Sequence, residues 1–285
     1  MSAAIGYALA AMVLYGLSDF VFKRAATAPF ETHQFMLVQS ASFCTLTWLY
    51  GLATASLIAV PAVAWGAAAG VFMFVGFNCF ALSLQHGSVS ANAPIVRLNF
   101  LITAALAIVL LGEPLSLEKL GGLALALVAI RWLVGAAGEA PGITAAAGRR
   151  SLTLVVIATV ALGAGNFLHK VGLSHGGHPA SLLAAHSSVF LTLATLVALR
   201  NDRGLVVPSA VWPYAIAGAA TSMGAFVMLL SALALADASV VVPIAQMGLV
   251  VAAALGVLVL GEVFTPRKAA GMALAVAALG LLAMS

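Results

Sequence analysis

The chain has 285 residues, of which 64% are apolar and 7% are charged, and its mean hydropathy is +1.16. About a quarter of the residues in a typical soluble domain are charged, so this composition excludes an ordinary soluble protein. The formal net charge is +4, but the basic residues are scattered among short loops and form no stripe, which excludes nucleic acid as a partner. The composition predicts an integral membrane protein.

The apolar residues fall in continuous runs of about 20 residues, the length that an α-helix needs to cross a bilayer. They do not alternate with polar residues as the strands of a membrane barrel do. The first run continues to Asp19 and Lys23 without a basic segment before it, so we expect a retained helix and not a cleaved signal peptide. The predicted spans are ten, at about 3–24, 33–57, 63–86, 90–111, 117–137, 151–172, 179–199, 212–236, 239–260 and 267–284.

A stretch of the first half recurs in the second half at a constant offset of 149 residues. The corresponding pairs are Pro94/Pro243, Gly112/Gly261, Glu113/Glu262, Lys119/Lys268 and Gly122/Gly271. Nearer the start of each half the offset is 147, with the pairs Gly16/Gly163, Phe20/Phe167 and Lys23/Lys170. A register held over this length indicates a duplicated unit.

Each copy holds five predicted spans, and this odd number forces the second copy to enter the membrane from the opposite side. The predicted fold is therefore an all-α polytopic membrane protein, in which ten transmembrane helices form two inverted five-helix repeats related by a pseudo-two-fold axis. The predicted repeats are residues 1–137 and 151–285, and residues 138–150 form the linker. Inverted repeats are typical of secondary transporters, which bind substrate near the membrane midplane and alternate access between the two sides.

The repeated motifs also resemble those of a known family. Each half opens with Gly-x3-Phe-x2-Lys, and each fourth span starts at a proline and ends in Leu-Gly-Glu. Across the whole chain this pattern resembles the ten-helix EamA-type branch of the drug/metabolite transporter superfamily. The resemblance implies a multi-pass exporter of amino acids or related small metabolites in the bacterial inner membrane, with a central cavity lined mainly by the third, fourth, eighth and ninth spans.

Arg97 is the most informative polar residue inside a predicted span. A charged side chain within the hydrocarbon costs about 2.5–3.5 kcal/mol on insertion scales, so it needs a partner, water or a function. We expect the guanidinium of Arg97 to bind the carboxylate of the substrate, with its repeat counterpart Gln246 nearby. The alternative is structural, with Arg97 paired to Asp19 or to a helix-end carbonyl.

Other polar side chains in the spans extend the predicted substrate site and supply candidates for proton coupling. The further substrate-site candidates are Gln39, its repeat counterpart His186, Asn99 and Asn78. Histidine titrates near neutral pH, and burial brings a carboxylate toward that range. The proton-coupling candidates are therefore Asp19, His186, His86 and Asp237. His86 and Asp237 lie at span ends, where a solvated helix terminus is the simpler interpretation.

The remaining motifs predict structural roles. Pro94 and Pro243 are placed in the first turn of their helices and are candidate hinges. Glu113 and Glu262 are expected to pair with Lys119 and Lys268, or with the opening of the following helix. His169, His175 and His178 cluster around the connection between the sixth and seventh spans, and no metal site is expected there because neither a carboxylate nor a thiol accompanies them.

The basic loop residues and the family resemblance predict opposite orientations of the chain in the membrane. With cytoplasmic termini, most basic loop residues would lie outside, so the positive-inside rule favours periplasmic termini. The superfamily usually has both termini in the cytoplasm. Either a monomer or a homodimer is compatible with two fused repeats.

The leading hypothesis is a secondary transporter that exports an amino acid or related metabolite, with the proton as candidate coupling ion. The alternative is efflux of lipophilic cations, with Asp19 as the binding carboxylate. From a different class, the chain could be a membrane enzyme or a lipid-handling protein. No nucleotide-binding loop, nucleophile motif or clustered catalytic residues are visible in the sequence, so neither an enzyme nor a cofactor is expected.

Overall fold

The computed structural model describes residues 2–25, 28, 30–84, 92, 95–134, 145–201, 207–260 and 266–285. In this part of the chain the secondary structure consists of α-helices without a β-strand. The helices are α1 (Ser2–Ala25), α2 (Thr32–Ala53), α3 (Val63–Leu84), α4 (Asn99–Leu111), α5 (Leu117–Val134), α6 (Ala145–Ser174), α7 (Pro179–Asn201), α8 (Val211–Leu235), α9 (Ala238–Gln246), α10 (Gly248–Leu260) and α11 (Pro266–Met284).

Six of these helices contain stretches long and apolar enough to cross a membrane: Ser2–Phe22, His33–Ala53, Val63–Ser83, Gly148–Ser174, Pro179–Arg200 and Val211–Leu235. Shorter apolar stretches lie at Ile95–Leu111, Ala238–Ala252 and Ala269–Met284. The helices correspond to the ten predicted spans, because α9 and α10 are consecutive parts of the ninth span. The all-helical membrane fold is thus confirmed.

Two predicted boundaries need correction. The sixth span begins at Ala145, inside the predicted linker 138–150, because alanine is the strongest helix former and residues 145–147 are all alanine. Pro243 lies at the sixth position of α9 and not in its first turn, because α9 already begins at Ala238. Pro94, the other candidate hinge, lies outside the described residues.

The two-repeat architecture is visible where the first span of each half crosses the fourth span of the other. A Cβ atom on Gly16 would lie 2.6 Å from the carbonyl oxygen of Gly248, at the start of α10. A Cβ atom on Gly163 would lie 2.7 Å from the carbonyl oxygen of Asn99, at the start of α4. Gly16 and Gly163 are repeat counterparts at an offset of 147, and Asn99 and Gly248 are counterparts at an offset of 149. Each half therefore has a glycine at the equivalent position of an equivalent close crossing.

The two halves interleave and share their core. Helices α1 and α8 pack together, as do their counterparts α6 and α3, while α2 packs on α8 and α3 packs on α7. Helices α5 and α11, which are also counterparts, pack on each other. Fully buried side chains such as Met73, Leu182 and Leu230 fill the space between halves. Residues near the pseudo-two-fold axis are therefore contributed by both repeats.

Candidate functional site

The fourth and ninth spans both break at the same repeat position. In the ninth span the Met247 amide donates to the Ile244 carbonyl over 3.1 Å, and in the fourth span the Leu98 amide donates to the Ile95 carbonyl over 3.0 Å. Both are three-residue bonds, tighter than those of an α-helix. Broken spans of this kind expose backbone groups at the substrate sites of secondary transporters.

The local sequence differs between the two breaks. In the ninth span Pro243 lies one turn before Met247, and because it has no amide hydrogen it cannot donate the α-helical bond to the Ser239 carbonyl. In the fourth span the side-chain amide of Asn99 donates to the Val96 carbonyl over 2.8 Å, which provides a partner for a backbone group near the break. The counterpart of Asn99 is Gly248, whose missing side chain allows α1 to approach.

Arg97 and Gln246, the residues immediately before the two breaks, contact each other. The Nη1 atom of Arg97 donates to the Oε1 atom of Gln246 over 3.2 Å, and Nη2 donates to the Oδ2 atom of Asp19 on α1. Because repeat counterparts can touch only near the axis that relates them, Arg97 and Gln246 lie close to the pseudo-two-fold axis. This group of Asp19, Arg97 and Gln246 is hereafter the axial triad.

In the axial triad the charges of Arg97 and Asp19 balance, and neither of these side chains is fully buried. The side chains of Arg97 and Asp19 are 21% and 28% exposed, so the protein leaves part of each uncovered. Gln246 is buried and bonded to the guanidinium. The triad therefore offers an accessible positive group and an accessible negative group side by side.

The other predicted substrate residues are distributed differently. Asn99 is buried beside the break, and its Oδ1 atom lies 3.5 Å from the side-chain amide of Asn166. Gln39 on α2 and Asn78 on α3 are half-buried, and no hydrogen bond to Arg97 is found for either among the described residues. The proton-coupling candidate His86 lies outside the described residues.

His186 belongs to a second cluster together with His169, a pairing that was not predicted from the sequence. His169 lies within α6, which continues to Ser174, and its side chain is 0% exposed. The rings of His169 and His186 are 5.1 Å apart between centroids and are tilted by 34°. The apolar residues Val171 and Leu173 beyond His169 were the sequence signal that the span continues.

Three aromatic rings surround this histidine pair. The ring centroid of Phe226 lies 5.2 Å from that of His186 and 6.1 Å from that of His169, while Phe43 and Phe190 lie 6.0 and 6.1 Å from His186. In the described part of the chain no group of three or more histidine, cysteine, aspartate or glutamate side chains is placed to hold a metal ion.

A third polar cluster ties the end of the fourth span to the start of the ninth. The carboxylate of Glu113 accepts hydrogen bonds from the amides of Ala238 and Ser239, at 2.7 and 2.9 Å, and from the Ser239 hydroxyl at 2.5 Å. The expected pairing of Glu113 with Lys119 or with its own next helix is therefore wrong. Glu113 instead caps α9 of the opposite repeat, where the helix dipole favours a negative charge.

Two lysines complete this cluster. Lys119, 1% exposed, donates to the Pro114 carbonyl at 2.6 Å and to the Asp237 carboxylate at 3.1 Å. Lys170 donates to the carbonyls of Leu233 and Ala236, at 2.9 and 2.7 Å, at the end of α8. Asp237, predicted as a proton-coupling candidate, therefore lies at a helix end in an ion pair. We call Glu113, Lys119, Lys170, Asp237 and Ser239 the latch.

A crevice of about 490 Å³ opens between α1, α2 and α8, away from these polar clusters. Its lining includes Leu14, Tyr50 and Met223 and presents apolar surface. The polar groups that would orient a polar metabolite lie instead in the axial triad, which is therefore the stronger candidate for a substrate site.

Comparison with known proteins identifies the family. The model of the EamA-like transporter family matches residues 2–135 and again residues 149–284. The chain belongs to the EamA-like transporter family. As an EamA-like transporter it moves small molecules across a membrane as a multi-pass protein, and the predicted superfamily resemblance is confirmed.

The fold of this EamA-like transporter also has solved relatives. Twenty-nine chains of solved structures match it. One of them, titled only as a crystal structure of a protein, superposes with a TM-score of 0.81 at 16% identity, covering 99% of this chain and 98% of that one. At this identity the likeness shows the fold alone. No curated protein matches the sequence.

Proposed function

We propose that this EamA-like transporter exports a zwitterionic metabolite of the amino-acid class across the bacterial inner membrane. The observation that carries the proposal is the axial triad, in which the Arg97 guanidinium and the Asp19 carboxylate lie side by side and partly exposed, next to the breaks of the fourth and ninth spans. An α-amino acid carries the complementary pair of charges as an ammonium and a carboxylate on one α-carbon.

Recognition would proceed by exchange of partners. The substrate carboxylate replaces Asp19 on the planar guanidinium, and the substrate ammonium binds the released Asp19 carboxylate. Every charge stays paired throughout, which avoids the penalty of several kcal/mol for an unpaired ion in a low-dielectric site. Gln246 holds the guanidinium through Nη1 while Nη2 is exchanged.

The same reasoning separates this proposal from cation efflux. A lipophilic cation bound to Asp19 would displace Arg97 and leave the guanidinium without a counter-ion. A simple carboxylate bound to Arg97 would in turn leave Asp19 unpaired. Charge balance at the triad therefore favours a zwitterion over either class of single ion.

Alternating access follows from the position of the triad and from the latch. A site near the pseudo-two-fold axis can face either side of the membrane when the repeats rock. The latch fastens the corner between α4 and α5 to the corner between α8 and α9, and so holds the two halves together at one membrane face. We propose that it opens when the site turns toward that face.

The test is counterflow of radiolabelled amino acids into liposomes that contain the purified protein and a high internal concentration of the same amino acids. We expect uptake by the wild type and an apparent affinity about 10- to 100-fold weaker in Arg97→Gln, because a hydrogen bond to a charged group contributes about 1.5–3 kcal/mol. Asp19→Asn should weaken binding similarly.

Glu118→Gln is the matched control, since Glu118 is exposed at the start of α5 and far in sequence from the triad. It should transport like the wild type. Unchanged affinity in both Arg97→Gln and Asp19→Asn would overturn the proposed substrate site, and wild-type transport of lipophilic cations but not amino acids would support the alternative.

A further inference from the structure

We infer that the pair of His169 and His186 is the site where the coupling proton binds. This inference rests on the proposed function and names the driving ion and its site. The two rings face each other at a centroid separation of 5.1 Å, between the sixth and seventh spans, and they are 0% and 2% exposed.

The first argument is that these rings are buried without hydrogen-bond partners. Both ring nitrogens of His169 and the Nδ1 atom of His186 find no partner within the described residues. A buried donor or acceptor left unpaired costs free energy that an apolar side chain of the same shape would not. Packing alone therefore gives no reason for two histidines here, whereas a ligand that pairs with ring nitrogens does.

The second argument concerns the chemistry that the pair can supply. A proton taken from water binds the free lone pair of one ring, and the resulting N–H can donate to the lone pair of the other ring. No other reactant is needed, because the proton returns to water on the opposite side. The ring centroids of Phe226 and Phe43 lie 5.2 and 6.0 Å from that of His186, within the distance at which the face of an aromatic ring stabilises a cation.

The third argument is that the surroundings make proton binding depend on conformation. None of α2, α3, α7 and α8, which pack around the pair, contains an aspartate or a glutamate. Besides the pair itself, the titratable and basic side chains on these helices and on α6 are His33, Cys44, Tyr50, Cys79, Arg149, Arg150, Lys170, Arg200 and Tyr214. Cys44 lies 3.9 Å from Ser188, and the ammonium of Lys170 is bound to the carbonyls at the end of α8. These helices therefore supply no carboxylate as a counter-ion to a protonated pair, so proton binding favours a conformation in which water enters.

A direct chain of contacts joins the histidine pair to the axial triad. Phe226 packs against both histidines and, edge to face at 5.7 Å, against Tyr15 on α1. Tyr15 precedes the crossing of α1 over Gly248 and lies one helical turn before Asp19. Movement of α1 during partner exchange at Asp19 is therefore transmitted through Phe226 to the rings of the histidine pair.

The experiment compares two assays on the reconstituted full chain. Counterflow exchanges amino acid for amino acid and moves no net protons, whereas accumulation driven by an imposed pH gradient requires coupling. We expect His169→Gln and His186→Gln to retain counterflow within about twofold, and to lose at least tenfold in gradient-driven accumulation and in proton flux reported by an internal pH-sensitive dye. His175→Gln is the control, because His175 is exposed at the end of the same helix.

Each contrary outcome has a distinct meaning. Gradient-driven accumulation that is undiminished in both variants would overturn the histidine site while leaving the axial triad intact. Equal loss of both assays, with normal melting temperatures, would place the pair in general transport and overturn a specific coupling role. A wild type that shows no counterflow of amino acids would overturn the proposed function and this inference with it.

Discussion

The latch and the centre of the molecule use buried polar groups in opposite ways. At the latch every charged group has at least one hydrogen-bond partner, with three hydrogen bonds to Glu113 and two from each lysine. At the centre the ion pair of Arg97 and Asp19 is partly exposed, and the histidine rings lack partners among the described residues. Polar groups that are hydrogen-bonded within the protein hold the two halves together, whereas partly exposed or unpaired polar groups are available to exchange partners with a ligand.

The repeat explains why both kinds of cluster arise between the halves. The latch joins corners from the two repeats, and the axial triad joins residues that are repeat counterparts or lie on α1. We therefore expect substitutions at the latch to change stability more than binding, and substitutions at the triad to do the reverse.

The largest stability effect is expected at Glu113. Glu113→Ala should lower the free energy of unfolding by about 3 kcal/mol or more, because three hydrogen bonds to a buried carboxylate are lost. At about 2–4 °C per kcal/mol this is a drop of roughly 10 °C in the melting temperature of the detergent-solubilised protein. The exposed Glu118→Gln variant should melt like the wild type, and an equal shift in both variants would contradict the role of the latch.

The sequence predicted the architecture more fully than it predicted which residues contact each other. The constant offset identified the two repeats, and it paired Arg97 with Gln246 before their contact was seen. The same offset could not show that Glu113 caps α9 of the other half, because equivalence between residues does not say which of them touch. That contact depends on how the halves interleave.

The contact of His169 with His186 was not predicted for a related reason. The sequence grouped His169 with His175 and His178, which follow it closely, whereas its ring contacts come from α7 and α8, which are distant along the chain. The breaks at Leu98 and Met247 were likewise not predicted, since both lie within apolar runs that read as continuous helices.

An intermediate effect is expected where α1 and α6 cross the broken spans. A methyl group on Gly16 would lie 2.4 Å from the Cβ atom of Val251, and one on Gly163 would lie 2.6 Å from that of Ile102. Overpacking of this kind costs about 1–3 kcal/mol. Gly16→Ala and Gly163→Ala should therefore lower the melting temperature by similar amounts.

Gly6→Ala is the control for this pair, because nothing lies within 4 Å of the added methyl group on the same helix α1. It should leave the melting temperature unchanged. A large effect at only one of the two crossing glycines would show that the crossings are not equivalent.

The smallest effect is expected at Asp237, the partly exposed member of the latch. Its carboxylate is 37% exposed, and an ion pair that solvent screens contributes about 0.2–1 kcal/mol. Asp237→Asn should therefore shift the melting temperature by no more than about 2–4 °C, and less at high salt. A shift as large as that of Glu113→Ala would mean that the latch depends on this ion pair more than on the cap of α9.

The most direct test of the central claim uses the wild-type protein and three matched ligands. Melting temperature is measured with an amino acid, with the amine that lacks its carboxylate and with the acid that lacks its ammonium. A bound ligand at a hundredfold excess over its dissociation constant stabilises the folded state by about 2.7 kcal/mol. We predict stabilisation by the zwitterion alone, lost in Arg97→Gln, whereas equal stabilisation by the amine or by the acid would contradict recognition through the pair of Asp19 and Arg97.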